Sequence, residues 1–351
     1  MHLVKPEIGY KPYAIEALKA VIICGLSFGL LQLLGIQGRQ LAMGLMIVAQ
    51  TSFAVFFVPP YHFPIRAMAF PFIGLSAIAG GIAGHYIPFA APALTIIAAA
   101  ATFYYIFINS IRVICINVVL VFMIFAYFPT PIELAGVYLW QWFLPGILFT
   151  VWHWLAYRRH RYTEISLPIL ESNERDRLLS TVVCLVSLGI AYTVTALLPT
   201  RFHSMHVYWI PMVCLLVTQV TVSSTTTYVK QRISMNILGA GIAAILFYVI
   251  SMPYWLAITL LVALFYLCLF FMFSYKHRTF CVTVMMVGIY HILQHATAVV
   301  MMDRVVFTII AGSIVLVVSF VTYAIVLKFQ QPAHSPVSLP ASQMRQAQSG
   351  K

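Results

Sequence analysis

Long apolar runs, separated by short clusters of charge, fill the chain between residues 14 and 327. A charge at a bilayer centre costs several kcal/mol, so charge-free gaps locate membrane spans. The gaps run over 20–38, 40–65, 67–111, 113–132, 134–157, 178–200, 202–229, 233–275, 279–302 and 305–327. Each is long enough for one helix across ~30 Å of hydrocarbon. The gaps 67–111 and 233–275 each hold two, and turn chemistry divides both: His85-Tyr86-Ile87-Pro88 in one, Ser251-Met252-Pro253 in the other. Proline is tolerated at a helix start, and the residue before it is pushed out of helical geometry. The pattern therefore predicts an all-α integral membrane protein of about twelve transmembrane helices. Without period-2 alternation, the runs do not read as strands of an outer-membrane barrel. The first apolar segment is long and lacks a convincing small-residue cleavage site, so it reads as a retained first helix.

Basic residues set the orientation. With a cytoplasmic N-terminus, that side holds 17 Lys and Arg, and the opposite side only Arg39, Arg201 and Arg304. This positive-inside asymmetry places both termini in the cytoplasm. The expected organisation is a cytoplasmic N-terminus (1–13), a first six-helix half (14–157) and a charged cytoplasmic linker (158–177). A second six-helix half (178–329) and a Pro/Ser/Gln-rich disordered tail (330–351) follow. The halves resemble each other. Arg66 and Arg232 stand 166 residues apart, as do Arg112 and Arg278, Phe107 and Phe273, Cys115 and Cys281, and Gly146 and Gly312. An even number of spans per half makes the repeats parallel, with an axis along the membrane normal and a path at their seam.

Composition agrees. Of 351 residues, 62% are apolar or aromatic and 8% charged, with mean hydropathy +0.96, which excludes an ordinary soluble enzyme. The net charge of +12 follows from the topology, and the basic residues are too dispersed for nucleic-acid binding. All six cysteines fall in predicted spans with no CxxC pair, so neither a disulfide framework nor a metal site is expected. No GxxxxGK[ST] loop is present, which excludes a nucleotide-driven pump of that type. No cofactor is expected.

The most informative stretch is Tyr208 to Leu246. A Tyr-Trp pair leads a span that ends in the polar run Ser223–Thr227, and a basic loop with Lys230 is expected to follow. The next helix is expected to open at Arg232 and carries Asn236, Gly239, Gly241 and Ala243, small residues that let membrane helices approach closely. With Gln219, Lys230 and the later Asp303-Arg304, Thr308 and Gly312, this segment resembles the fusaric acid resistance and aromatic acid exporter (FUSC) family. The resemblance is good over about 180–325 and looser over 14–157. It implies a multi-pass protein of the bacterial inner membrane that exports aromatic carboxylates or similar small organic anions, driven by the proton gradient. Such exporters often work with a periplasmic adaptor.

Transport needs polar groups in the apolar interior. Gln219, Asn236, Arg232 and Arg304 are the expected substrate-path residues, the arginines attracting a carboxylate. Gln50, Asn109, Asn117 and Gln294 are further amides, although a mid-span amide also serves to bond a neighbouring helix. Asp303, Glu133, His291 and His295 are the proton-coupling candidates. The HxxxH pair lies on one helical face, but no second His box accompanies it for metal chemistry. Acids at helix starts also serve as dipole caps. An organic-anion channel and a non-transport assembly subunit are the alternatives; the expected partners are the bilayer and small organic anions, the oligomeric state being open.

Overall fold

The computed structural model describes residues 10–36, 38–56, 63–106, 108–135, 173–198, 207–219, 222–250, 252–271, 274–294 and 297–330, with isolated positions between 143 and 155. These form helices and no β-strand element. In chain order they are α1 (Tyr10–Leu33), α2 (Gly38–Phe56), α3 (Phe63–Tyr86), α4 (Ala91–Tyr105) and α5 (Asn109–Ala126). Then come α6 (Glu174–Leu197), α7 (Trp209–Val217), α8 (Val222–Ala243), α9 (Tyr254–Phe270), α10 (Tyr275–Gln294) and α11 (Thr297–Gln330). A π-helical turn, Ala244–Val249, extends α8. The sixth expected span, the central linker and the tail lie largely outside the described residues.

Local chemistry explains the boundaries. The two proline-marked breaks separate α3 from α4 and α8 from α9, with Pro253 as the residue before α9. At the end of α1, Gly35 takes φ +76°, a left-handed conformation that glycine adopts without a Cβ penalty. Gly35 N–H donates to Gln32 O (2.9 Å) and Ile36 N–H to Leu31 O (3.0 Å), which satisfies the last carbonyls of the helix. Leu31, Ile36 and Leu41 close a small buried cluster beneath this turn. Helix α6 opens after Asn173 with Glu174 and Asp176 in its first turn, where the helix dipole favours negative charge.

Four helices contain segments long and apolar enough to cross a membrane: Ala14–Leu33, Ile65–Tyr86, Glu174–Leu197 and Met301–Val326. Ala91–Tyr105, Ile111–Ala126 and Trp255–Phe270 are shorter apolar helices. The outer surface is apolar as well as the core. Phe89, Leu33, Leu197 and Trp255 are strongly exposed, and α9 alone exposes Leu256, Ile258, Val262 and Leu267. Water does not tolerate so large an apolar surface, whereas lipid does.

One buried apolar cluster runs from Ala17 to Val318 and draws on both sides of the central linker. The most extensive helix contacts are α3 with α5 and α8 with α10. Contacts across the linker join α1 to α9, α4 to α6 and α5 to α7, while α6 packs on α11. Glycine makes the tightest approaches possible. A Cβ on Gly80 or Gly84 would run into the backbone carbonyls of Phe122 and Ala126 on α5, and Ser76 Oγ donates to Val118 O on the same helix.

The structure corrects several helix starts. Helix α8 begins at Val222, so the polar run Ser223–Thr227 lies inside it and Arg232 is mid-helix, not at its opening. The hydroxyls make this possible: Thr227 Oγ1 donates to Ser223 O (3.0 Å), so the polar groups need no loop to be satisfied. Arg66 likewise lies in α3, Arg112 in α5 and Arg278 in α10, rather than in loops.

The close packing predicts opposite outcomes for two helical glycines. Gly80→Ala should lower stability by about 2 kcal/mol because the new methyl meets a backbone carbonyl. Gly29, with nothing within 4 Å of the corresponding position, should tolerate alanine and gain up to about 1 kcal/mol from helix propensity. Unfolding of the purified protein in detergent measures both.

Candidate functional site: a buried cation cluster on α7, α8, α10 and α11

Helix α7 has only 9 residues, about 13 Å at 1.5 Å per residue, and nearly all are buried. It ends at Thr218-Gln219, where Gln219 N–H donates to Thr225 Oγ1 (3.1 Å) and α8 starts three residues later. A short helix followed by a break inside the bundle resembles the discontinuous helices that build transporter sites. Cys214 Sγ lies 3.6 Å from Ala311 O, and a Cβ on Gly312 would come within 2.9 Å of Val229 Cγ1. These contacts bring α7, α8 and α11 together.

Arg304 on α11 is 3% exposed, and its guanidinium lies 4.8 Å from the ring centroid of Trp209 at the start of α7. Arg232 on α8 is 7% exposed, and the two arginines lie within electrostatic range of each other. Among the described residues neither forms an ion pair, and the Nε of each is buried with no hydrogen-bond partner. Arg278 on α10 lies within electrostatic range of Arg232 and 5.4 Å from the Tyr275 ring, which packs against Tyr228 at 4.3 Å between centroids. The Tyr275 hydroxyl and Thr279 Oγ1 are also buried without partners. Tyr208 is buried and hydrogen-bonded to Tyr290.

Asn236, 1% exposed, ties the cluster to α10. Its Nδ2 donates to Arg232 O (2.8 Å), and the Thr283 hydroxyl lies 2.8 Å from both Asn236 Oδ1 and Thr279 O. Gly239 permits this approach, since a Cβ there would sit 2.9 Å from Thr283 Cβ. Asn236 thus bonds Thr283 across the helix interface and Arg232 O one turn back on its own helix. Asn117 similarly donates to Val113 O within its own helix (2.8 Å).

The structure thus brings Arg232, Asn236 and Arg304 to one region, with Gln219 half-buried at the break after α7. Asp303 is half-buried beside Arg304 on α11. Glu133 is exposed in a short helical turn, and His291 packs against Phe247 at 5.4 Å between centroids. His295 and the side chain of Gln294 lie outside the described residues. Tyr228, Tyr275, Tyr290 and Arg278 belong to the cluster without having been singled out as substrate-path residues. Their spacing on α8 and α10 carries the signal, but only once those two helices are known to pair.

Another residue outside the expected site set is Glu16. It lies in the second turn of α1, and its Oε2 is 3.2 Å from Arg66 Nη1 while its Oε1 is 2.9 Å from Lys19 Nζ. Its side chain is 12% exposed and that of Arg66 4%.

The helix tie predicts that Thr283→Val, which keeps shape but removes the hydroxyl, costs about 1 kcal/mol in detergent unfolding. Ser234→Ala, on the exposed face of α8, should leave stability within about 0.5 kcal/mol of the wild type.

Residues 182–318 match the family described as fusaric acid resistance protein-like. No curated protein and no solved structure matches the chain. The matched stretch runs from α6 into α11 and contains Trp209, Arg232, Asn236, Thr283 and Arg304, the residues that build the cluster. Over this segment the chain is similar to the fusaric acid resistance protein-like family.

Proposed function

We propose that the protein is a secondary exporter of small aromatic carboxylic acids, coupled to the proton gradient across the bacterial inner membrane. The family match supports transport of an efflux type. The observation that carries the substrate class is the pair Arg232 and Arg304, both buried, close enough to repel each other, and without a carboxylate partner among the described residues. An uncompensated buried cation is costly, and an anion that accepts from the orphaned Nε groups removes that cost. A planar guanidinium also binds carboxylates with two parallel hydrogen bonds. The rings of Trp209 and Tyr275 already lie against arginines of this cluster, with Tyr228 packed on Tyr275, and further aromatic surface suits an aromatic acid.

Two parallel six-helix repeats with cytoplasmic termini form the proposed frame. A shift of 166 residues carries α5, starting at Asn109, onto α10, starting at Tyr275; it brings the starts of α1 and α4 within three residues of α6 and α9, and those of α2 and α3 within five and seven of α7 and α8. The pairing of α3 with α5 is matched by that of α8 with α10, and α1 on α9 by α6 on α4. Reciprocal contacts of this kind are expected of a two-fold axis between halves. Asp303, beside Arg304 in sequence, is the proposed coupling residue. A periplasmic adaptor is the proposed partner for carrying substrate beyond the inner membrane.

Efflux of benzoate from proteoliposomes, with and without an imposed pH gradient, tests this reading. The wild type should move benzoate against its concentration gradient only when protons flow the other way. Arg304→Met should slow efflux about tenfold or more, the loss of one charge-assisted contact. Asp303→Asn should leave downhill flux but abolish its response to the gradient. A protein that equilibrates benzoate without concentrating it is a channel, and one that moves no acid under either condition refutes the exporter reading.

A further inference from the structure

Two arginines 166 residues apart, Arg66 on α3 and Arg232 on α8, solve the same physical problem differently. Each lies on the helix that makes the most extensive pair in its part of the bundle, α3 with α5 and α8 with α10. Each is nearly out of solvent, at 3% and 7% exposure. A guanidinium keeps its charge at any pH the protein meets, so burial cannot be relieved by losing a proton. Arg66 is neutralised from within, by Glu16 at 3.2 Å, and the second Glu16 oxygen takes Lys19 at 2.9 Å. Arg232 forms no ion pair among the described residues, and its Nε has no partner. The residue 166 positions on from Glu16 is Val182, and that corresponding to Lys19 is Leu185. The carboxylate present beside the first arginine thus has no counterpart in sequence beside the second.

We propose that Glu16 is a built-in counterion, filling beside Arg66 the carboxylate position that an anionic substrate fills beside Arg232, so that the protein offers one anion site rather than two. This rests on the substrate reading given above and extends it to the other half of the bundle. It accounts for the asymmetry chemically: a duplicated cation site has been closed on one side by a side-chain carboxylate with the same two-oxygen geometry as the ligand. Removing that carboxylate should convert the Arg66 region into an open site for a small carboxylate of similar size.

Acetate is the probe, because it reproduces the Glu16 carboxylate and little else. The comparison is made in an Arg232→Met background, which removes the counterpart of Arg66 and leaves R232M alone to report any acetate taken beside Arg304, with sodium chloride holding ionic strength constant. Acetate should raise the unfolding midpoint of E16A/R232M saturably, by about 3 °C at ten times its dissociation constant. The shift should exceed any seen with R232M alone, and the excess should vanish when Arg66→Met is added. If E16A/R232M does not fold by itself, recovery of monodisperse protein when acetate is present throughout purification is the equivalent positive result. A folded E16A/R232M with no acetate-specific shift overturns the proposal, as does a misfolded one that acetate does not recover. Benzoate binding to the wild type, measured separately, decides the underlying substrate reading. Bound benzoate with no acetate rescue discards only the Glu16 proposal, while acetate rescue without benzoate binding discards only the substrate assignment beside Arg232.

Discussion

The bundle is organised around the burial of arginine in an apolar environment that holds few acids. The chain carries 20 Lys and Arg against 8 Asp and Glu, and among the described residues the buried Arg112, Arg232 and Arg304 form no ion pair. Desolvating a guanidinium costs several kcal/mol unless its charge and donors are met. Each arginine meets this differently. Arg66 takes Glu16, Arg112 lies 4.4 Å from the Phe103 ring, Arg278 sits by Tyr275, and Arg304 lies over Trp209. An aromatic face compensates a cation by about 2 kcal/mol when desolvated, less than a full ion pair in a dry site. The second half therefore retains an excess of positive potential where Arg232 and Arg304 face each other.

Rigid packing keeps that excess from being relieved by rearrangement. Asn236 bonds the Arg232 carbonyl on its own helix and meets Thr283 across the interface, and Gly239 sets the distance at which the two helices meet. Gly312 brings α11 against Val229 and Ile233, one turn and one residue from Arg232. The short α7 holds Trp209 against Arg304 and then breaks at Gln219. Close-packed apolar helices thus fix the positions of the polar groups, and the polar groups in turn define what the interior can accept.

The all-helical class and both proline-marked breaks were legible because hydropathy and proline act locally. Helix starts were less legible. Treating charge as a marker of span ends put Arg66, Arg112 and Arg278 between spans and Arg232 at a helix opening, whereas the first three lie within helices and Arg232 lies mid-helix. The reason is physical: a helix accepts a cation readily if a ring or carboxylate from another helix receives it, and such partners are remote in sequence. Glu16 and Arg66 are 50 residues apart, so their ion pair leaves no local trace. The break after α7 was hidden too, because Thr218 and Gln219 sit within an otherwise apolar run. Arg232, Asn236 and Arg304 were identifiable from residue type and family resemblance, but the aromatic residues around them emerge only from the pairing of α8 with α10 and of α7 with α11.

The central claim is that the uncompensated arginines of the second half receive an aromatic carboxylate. Its most direct measurement is the position of the iodine of 4-iodobenzoate, located by anomalous diffraction from crystals of the full chain soaked or grown with the acid. The account predicts one iodine peak per protomer within the region bounded by α7, α8, α10 and α11, with the carboxylate directed at Arg232 and Arg304. An iodine peak elsewhere in the bundle, or none at saturating ligand, would contradict it.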